Sequence, residues 1–332
     1  MSTRVRVGYR AITMASCALL ALTSANVRSE QIAMETAGAA SVLAMIPQAM
    51  APYWSDAGVD LQLSLGQTLT KSLLKLGRGK LDTAVVPPSA FVSMQHARPP
   101  YKNLGNVAKE AASNVRSLFG LPGSVYHAIT WADDDITEWK DGVNKRIYVG
   151  PPAGIANDQI HALTSAAGLK PDQYESVRAP WGVGAQSFKD GQFDIYISVF
   201  GLGSQTLAEM SLSRNIRLLG VPGSNMIPPA DLVMQPTEIP AHTYPGQVNE
   251  ESVLTWQTVM MMAARKDLPD DIAYSLTKTY FENRLAVAES NASLSTVATT
   301  DYFAGVNAPL HPGAVKYYRE LNISIPENLL IK

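Results

Sequence analysis

From Gln31 to Phe91 the apolar residues switch spacing every few residues, and this alternation constrains the fold more than any other feature of the chain. QIAMETAG reads as a short strand ending at a glycine. AASVLAMIPQAMAPYWSDAG follows with helical spacing and closes at Gly58. VDLQLSLG returns to the two-residue period of a strand, TLTKSLLKLGRG is a short amphipathic helix, and KLDTAVVPPSAF is a β-branched run leading into a loop. Apolar periods of 2 and 3.6 residues separate strands from helices. A βαβαβ order demands a parallel sheet covered by helices on its faces.

A second unit of the same kind follows. VRSLFGLPGSVYHAITWA, from Val115, reads as extended chain able to cross between two lobes. Then come KRIYVG, a helix from Asn157, YESVRAP, a helix through Ala185 to Lys189, and FDIYISVFG. NIRLLGV reads as another crossing strand. Residues 221–246 are rich in proline and lack a period, so a surface wrap is expected there. ESVLTWQTVMMMAARKDLP is strand-like up to Lys266. PDDIAYSLTKTYFENRLAV is a helix with Pro269 at its start and Asp270 and Asp271 facing the positive end of its dipole. HPGAVKYYREL is a last helix. The expected class is α/β, with two lobes, each a mainly parallel sheet flanked by helices, joined by crossing hinge strands. Lobe I takes 30–120 and 222–332, and lobe II takes 121–221. Ligands in such folds sit between lobes at the carboxyl ends of strands.

The first 25 residues stand apart. Arg4, Arg6 and Arg10 precede an apolar run from Ala11 to Leu22, and TSAN supplies small residues, with cleavage expected after Ala25. That is the order of a secretory signal rather than of a buried helix, and the apolar run is short for a membrane span. Three of the 27 basic residues lie in this leader, leaving 24 against 29 acidic ones. Such a balance excludes a nucleic-acid footprint. The one cysteine, Cys17, also lies in the leader. MASC resembles a lipid-attachment site faintly, but the strongest apolar run follows the cysteine. The remainder has no thiol for a disulfide, nucleophile or metal. A cysteine-free exported chain of this length fits the bacterial periplasm.

Catalytic patterns are missing. There is no GxSxG and no HExxH, and GRGKLD lacks the hydroxyl and upstream spacing of a phosphate loop. His96, His127, His161, His242 and His311 are scattered. Asp133 to Asp135 lack the alternating oxygens of a calcium loop. Neither an enzyme nor a metal or cofactor protein is expected.

IYVGPPAGIAND, from Ile147, is a strand, a tight loop and a helix start, a corner whose backbone N–H groups suit an anion. Its loop carries no hydroxyl and no charge. IPAHTYPGQ, ARKDLPDDIAYSLTKTYFEN and PLHPGAVKYYRE, with KRIYVGPPAG and FKDGQFDIYISV, resemble in order and spacing the TAXI-type solute receptors of TRAP transporters, over about Gln31 to Arg319. The resemblance implies a periplasmic-binding-protein-like clamp, monomeric and without cofactor. Such a receptor captures a small organic anion in the periplasm and delivers it to integral-membrane TRAP permease subunits. Typical family ligands are glutamate, glutamine and short dicarboxylates such as 2-oxoglutarate. A periplasmic sensor or scaffold for a membrane receptor is the alternative.

Against the family pattern this chain loses donors. The first loop, usually Gly-Gly-Thr-Tyr-Tyr, here is GAASV: Gly38 stays, Ala40 replaces the threonine, and Ser41 and Val42 replace the tyrosines. Glu35 stands where glycine is usual, beside Thr36. Of the next corners the resemblance marks Gln67 and Ser89. The second-lobe loop, usually Gly-Ser-Gly-Thr, is Ala153, Gly154, Ile155 and Ala156, with Asn157 able to add a side-chain donor. Trp181 falls at a pocket-edge position and Phe200 where glycine is common; they can cover an apolar ligand, although Trp181 also suits core packing. Arg178 is a carboxylate partner or a surface strand-end residue, and Glu35 meets a ligand ammonium or hydroxyl or caps the following helix. Two lost hydroxyl bonds at about 1 kcal/mol each weaken a carboxylate roughly thirtyfold. The expected ligand is therefore less polar than glutamate, with one anionic end.

Overall fold

The computed structural model describes Met1 and residues 30–39, 41–152 and 154–331. The leader with Cys17, and the loop residues Ala40 and Ala153, lie outside the described residues.

The first half opens with β1 (Glu30–Glu35), α1 (Val42–Asp56), β2 (Val59–Ser64), α2 (Leu69–Gly77) and β3 (Thr83–Val86). β2, β1 and β3 pair in parallel, in that order. All four residues of β3 are buried, as expected for a strand covered on both faces. α1 carries Pro47 in its interior, which removes the N–H that would bond Leu43 O. The hydroxyl of the fully buried Thr36 donates to that carbonyl instead, at 2.6 Å. Strand β3 does not lead into a loop: α3 (Pro88–Gln95) starts at once, with Pro88 in its first turn. α4 (Asn106–Ser113) then leads into the long strand β4 (Val115–Trp131).

The second half holds β5 (Arg146–Tyr148), α5 (Ala156–Ala166), β6 (Glu175–Val177), α6 (Trp181–Lys189), β7 (Ile195–Phe200), α7 (Gln205–Ser213) and β8 (Ile216–Leu218). β6, β5 and β7 are parallel, and β7 pairs antiparallel with the far end of β4. The proline-rich stretch is not only a wrap. It contains β9 (Met234–Ile239), which pairs with β10 (Val253–Arg265) despite Pro236. A proline is tolerated on a strand that is paired along one side. The second crossing strand is β10, not the 215–221 segment. Three-residue β8 pairs with the end of β4 and bridges only to Gln247 besides among the described residues, whereas β10 pairs with β3 at one end and β9 at the other. Because β4 and β10 run side by side through both halves, the halves are portions of one ten-stranded sheet. α8 (Asp270–Ser290) and α9 (Pro312–Glu320) return to the first half.

Alternation along each strand sorts the second half into two cores. Tyr126, Ala128, Ile147, Val149, Ile195 and Ile197 pack on one face. Val125, Ile129, Tyr148 and Tyr196 pack on the other. Met226, Leu232, Met234, Ile239, Tyr244, Val253 and Trp256, from the stretch expected in lobe I, pack in these same two cores.

The strands cross where the ladder slips. The β4–β10 register shifts between Gln257 and Val259, and the Thr258 hydroxyl fills the gap. It accepts from Ser124 N at 2.9 Å and lies 3.2 Å from Ser124 O, to which it donates. Gly123 sits so close that a Cβ there would lie 2.3 Å from Thr258 O.

Candidate functional site

The chain just after β7 meets the start of α1, the helix that follows β1, at the junction of the two halves. The halves touch there. A Cβ on Gly201, just after β7, would lie 2.9 Å from Val42 Cγ2 and 3.2 Å from Ser293 Cβ.

On the first half, several of the expected site residues have hydrogen-bond partners within the chain. Glu35 is buried and accepts from Lys75 Nζ at 2.6 Å and from Ser72 Oγ at 2.7 Å, both on α2. It does not cap the helix that follows; its charge is answered by α2. Thr36 serves the Leu43 carbonyl. Ser41 is the N-cap of α1, its Oγ accepting from Leu43 N at 3.2 Å. Gln67 donates from its side-chain amide to Leu65 O at 3.0 Å. Gly38 is exposed, with its carbonyl held by Ser41 N. Ser89, in the first turn of α3, is 5% exposed, and its hydroxyl has no hydrogen-bond partner among the described residues. Glu35→Gln keeps the shape and loses the ion pair. Because Lys75 is nearly half exposed, the expected loss is only about 1 kcal/mol in a urea titration, with ligand affinity unchanged. A large loss of affinity would return Glu35 to the ligand.

On the second half, the α5 corner is built on itself. Gly154 takes a φ of 114°, and Ile155 is the N-cap of α5 without a side-chain cap. The Asn157 amide donates back to Val149 O and Pro151 O, so it holds the loop rather than offering a donor outward. Ala156 opens the helix, and Asp158 in its first turn already faces the dipole. Trp181 starts α6, 37% exposed, with its ring edge-on to Tyr148 at 5.9 Å. Gly150, with a φ of 89°, leaves room for it: a Cβ there would lie 3.2 Å from Trp181 Cη2. Arg178, at the end of β6, is exposed and forms no ion pair among the described residues. Burial of His161, helped by Arg178, holds that imidazole below its ordinary pKa.

Phe200 stands edge-on to the fully buried His127 at 5.7 Å. His127 Nδ1–H donates to Val125 O at 2.9 Å, which leaves Nε2 to accept the Tyr244 hydroxyl at 2.8 Å. Burial pushes the His127 pKa down to about 4 and the Tyr244 phenol up, the amides of Gly203 and Ser204 working against the latter. The corner after β7 is therefore plugged from within by Tyr244. No local pattern in the sequence marks that pair.

Among the described residues there is no cluster of His, Cys, Asp or Glu able to hold a metal, and no helix is long and apolar enough to cross a membrane. A model described as the NMT1-like family matches residues 86–321. Among solved structures, a protein described as the periplasmic sulfonate-binding protein SsuA of a sulfonate ABC transporter from Methylobacillus flagellatus KT aligns with a TM-score of 0.52 at 12% identity, over 90% of this chain and 96% of that one. The aliphatic sulphonate binding protein SsuA of Escherichia coli gives 0.49 at 11%, over 90% and 96%. A TRAP solute binding protein from Desulfovibrio salexigens, with bound orotic acid, gives 0.46 at 11%, over 88% and 89%. The first shows a shared clamp fold.

Proposed function

The chain belongs to the NMT1-like family, and from that premise we propose that it is a periplasmic solute receptor, not an enzyme, which hands a small organic anion to a membrane permease. The TAXI type of TRAP system is the partner that the sequence resemblance favours, with the receptor exported by its leader and acting as a monomer. We place the lobe boundaries within β4 and within β10, so that 222–258 moves with lobe II. The observation that carries the reading is the clamp fold itself: two α/β halves joined by the two strands β4 and β10. A ligand that bonds to both halves favours the closed arrangement by its extra contacts there.

The residues still free to meet a ligand are few. Arg178 offers a cation without an ion-pair partner among the described residues, the backbone from Gly154 to Ala156 offers amides, and Trp181 and Phe200 offer aromatic surface. That set suits one carboxylate on an aliphatic or aromatic body. A thermal-shift panel of the purified chain tests it. An apolar monocarboxylate at about 100 times its Kd adds about 2.7 kcal/mol and raises Tm by several degrees, whereas glutamate and 2-oxoglutarate give little. Arg178→Gln is expected to weaken the bound acid about tenfold. A shift as large with glutamate would overturn the apolar reading. No shift with any acid would transfer the weight to a sensor or scaffold role at a membrane receptor.

A further inference from the structure

The first half holds a cavity of about 460 Å³ that lies away from the junction. Its walls are the end of α3, the last turns of α4, the start of β4 and Pro309. Arg116 is the second residue of β4, whereas β4 is stapled to β10 at Gly123 and Ser124. At about 3.3 Å per residue of strand, the two points are about 23 Å apart. The volume falls within the roughly 300–1,000 Å³ of small-molecule sites.

Three basic side chains line this cavity, His96, Lys109 and Arg116, and no acidic one. Lys109, Ala112 and Ser113 are three and four residues apart on α4, so one face of that helix supplies all three. Arg116 is aimed by its own bonds: Nη1 donates to Ser113 O at 3.0 Å and to Val115 O at 2.8 Å, which answers the carbonyl end of α4. Its Nη2 and Nε have no partner among the described residues. Arg146, Arg214 and Arg265 each have a carboxylate partner and are held above the ordinary guanidinium pKa. Arg116 is partly buried without a carboxylate, and burial holds it below that value. Lys109 and His96 are exposed and form no ion pair among the described residues either. The wall therefore carries positive charge that the fold does not answer. Beneath it, Phe91 and Ala112 are buried and form an apolar floor with Pro309.

The geometry points to a second ligand site in this cavity, one that takes a small soluble phosphate monoester: a dianionic head against Arg116, Lys109 and His96, and an apolar body against Phe91, Ala112 and Pro309. The free nitrogens of the Arg116 fork suit two oxygens of one phosphate, and Lys109 adds a point charge beside them. Gln95 and Ser113, also in the lining, supply neutral donors to the third oxygen. A monocarboxylate is the poorer ligand, because it answers one of the positive charges and leaves the others as they were. A bare inorganic phosphate is poorer too, because it leaves the floor exposed to water. The site is separate from the solute held at the junction, so it does not depend on the receptor reading.

Calorimetric titration of the purified chain at constant ionic strength tests the site with phenyl phosphate, inorganic phosphate and benzoate as probes. The expected result is phenyl phosphate bound with a Kd of about 1 mM or below, and inorganic phosphate and benzoate each bound at least fivefold more weakly. Arg116→Gln is expected to weaken phenyl phosphate at least tenfold, the value of a charge-assisted hydrogen bond, and the exposed Lys109→Gln about threefold. Because Arg116 also closes α4, Arg116→Lys keeps the charge and removes the fork; a loss of about fivefold is expected from it, and with Lys109→Gln it carries the test if Arg116→Gln does not fold. Arg178→Gln, on the other half, is expected to leave phenyl phosphate binding unchanged. Absence of binding up to 10-fold above that Kd (~10 mM), benzoate bound as tightly as phenyl phosphate, or binding that survives Lys109→Gln and Arg116→Lys but is lost in Arg178→Gln would each overturn the inference. Sedimentation with vesicles of phosphatidic acid and phosphatidylcholine separates a soluble ligand from a lipid headgroup. The protein is expected to stay in solution, and sedimentation abolished by Lys109→Gln would overturn the soluble source.

Discussion

Gly123→Ala is expected to cost about 3 kcal/mol or more and to lower Tm by roughly 6–10 °C. The new Cβ would lie 2.2 Å from Thr258 Oγ1, 2.3 Å from Thr258 O and 2.6 Å from its carbonyl carbon. A side chain can turn away, but a backbone carbonyl inside the sheet moves only with its strand. Here that strand is one of the two that join the halves, so relief of the clash would spread β4 from β10 where the register slips. Gly182→Ala is the control: it lies in α6 with open space around its Cβ, and replacing glycine inside a helix stabilises by up to about 1 kcal/mol. Thermal unfolding of the two variants checks both. A Gly123→Ala protein as stable as the parent would mean that the crossing adapts easily and is not the tight pivot described above.

Acid is expected to destabilise the protein well above the carboxylate range. His127 is fully buried, and its pKa is about 4 when folded against an ordinary value of 6.5. Between those values the unfolded chain holds a proton that the folded one refuses, so stability rises with pH across the window and falls as pH drops from 6.5 to 4. Each pH unit is worth up to about 1.4 kcal/mol, so His127 alone accounts for about 3 kcal/mol. His311 is buried too, and burial outweighs Asp270 to hold its pKa low, which adds in the same direction. Below about 4 the carboxylates take over: Arg214 depresses Asp133, and Arg265 depresses Asp267. Urea titrations from pH 7.5 to 4.5 measure the slope. His127→Gln keeps an acceptor for Tyr244 without titrating, so its slope over this range should be shallower by up to one proton. An unchanged slope would show that His127 is already protonated when folded.

The alternation of strands and helices was legible because buried parallel strands and amphipathic helices leave different periods. What was not legible depends on contacts distant along the chain. VVPPSAF reads as a loop because of its two prolines, yet Pro88 stands where a helix accepts one. Met234–Ile239 reads as irregular because Pro236 hides a strand whose partner is given only by β10. NIRLLGV and the run before Lys266 are both apolar strands, and nothing local says that the longer one crosses. Within the site, the loss of hydroxyls was visible, but the commitments of the remaining polar groups were not. Glu35 finds Lys75 forty residues away. Asn307 finds Pro88 across 219 residues and leaves no signal of its own. Asn157 is the contrary case, because its partners are only six and eight residues back, where a loop closing on itself could have been foreseen.

The position of β10 also bears on the order in which the chain can fold while it is being made. β3 and the first part of β4 are neighbours only through β10, which ends at Arg265, and the first core is then closed by α8 and α9, ending at Glu320. A ribosome adding about 5–20 residues per second must therefore reach β10, which spans Val253–Arg265, before either half has all its strands. Contacts this distant along the chain also slow the search for the native pairing. Until β10 has been made, the growing chain has no complete half of the sheet to lock into place, and its apolar strands stay open to other partners.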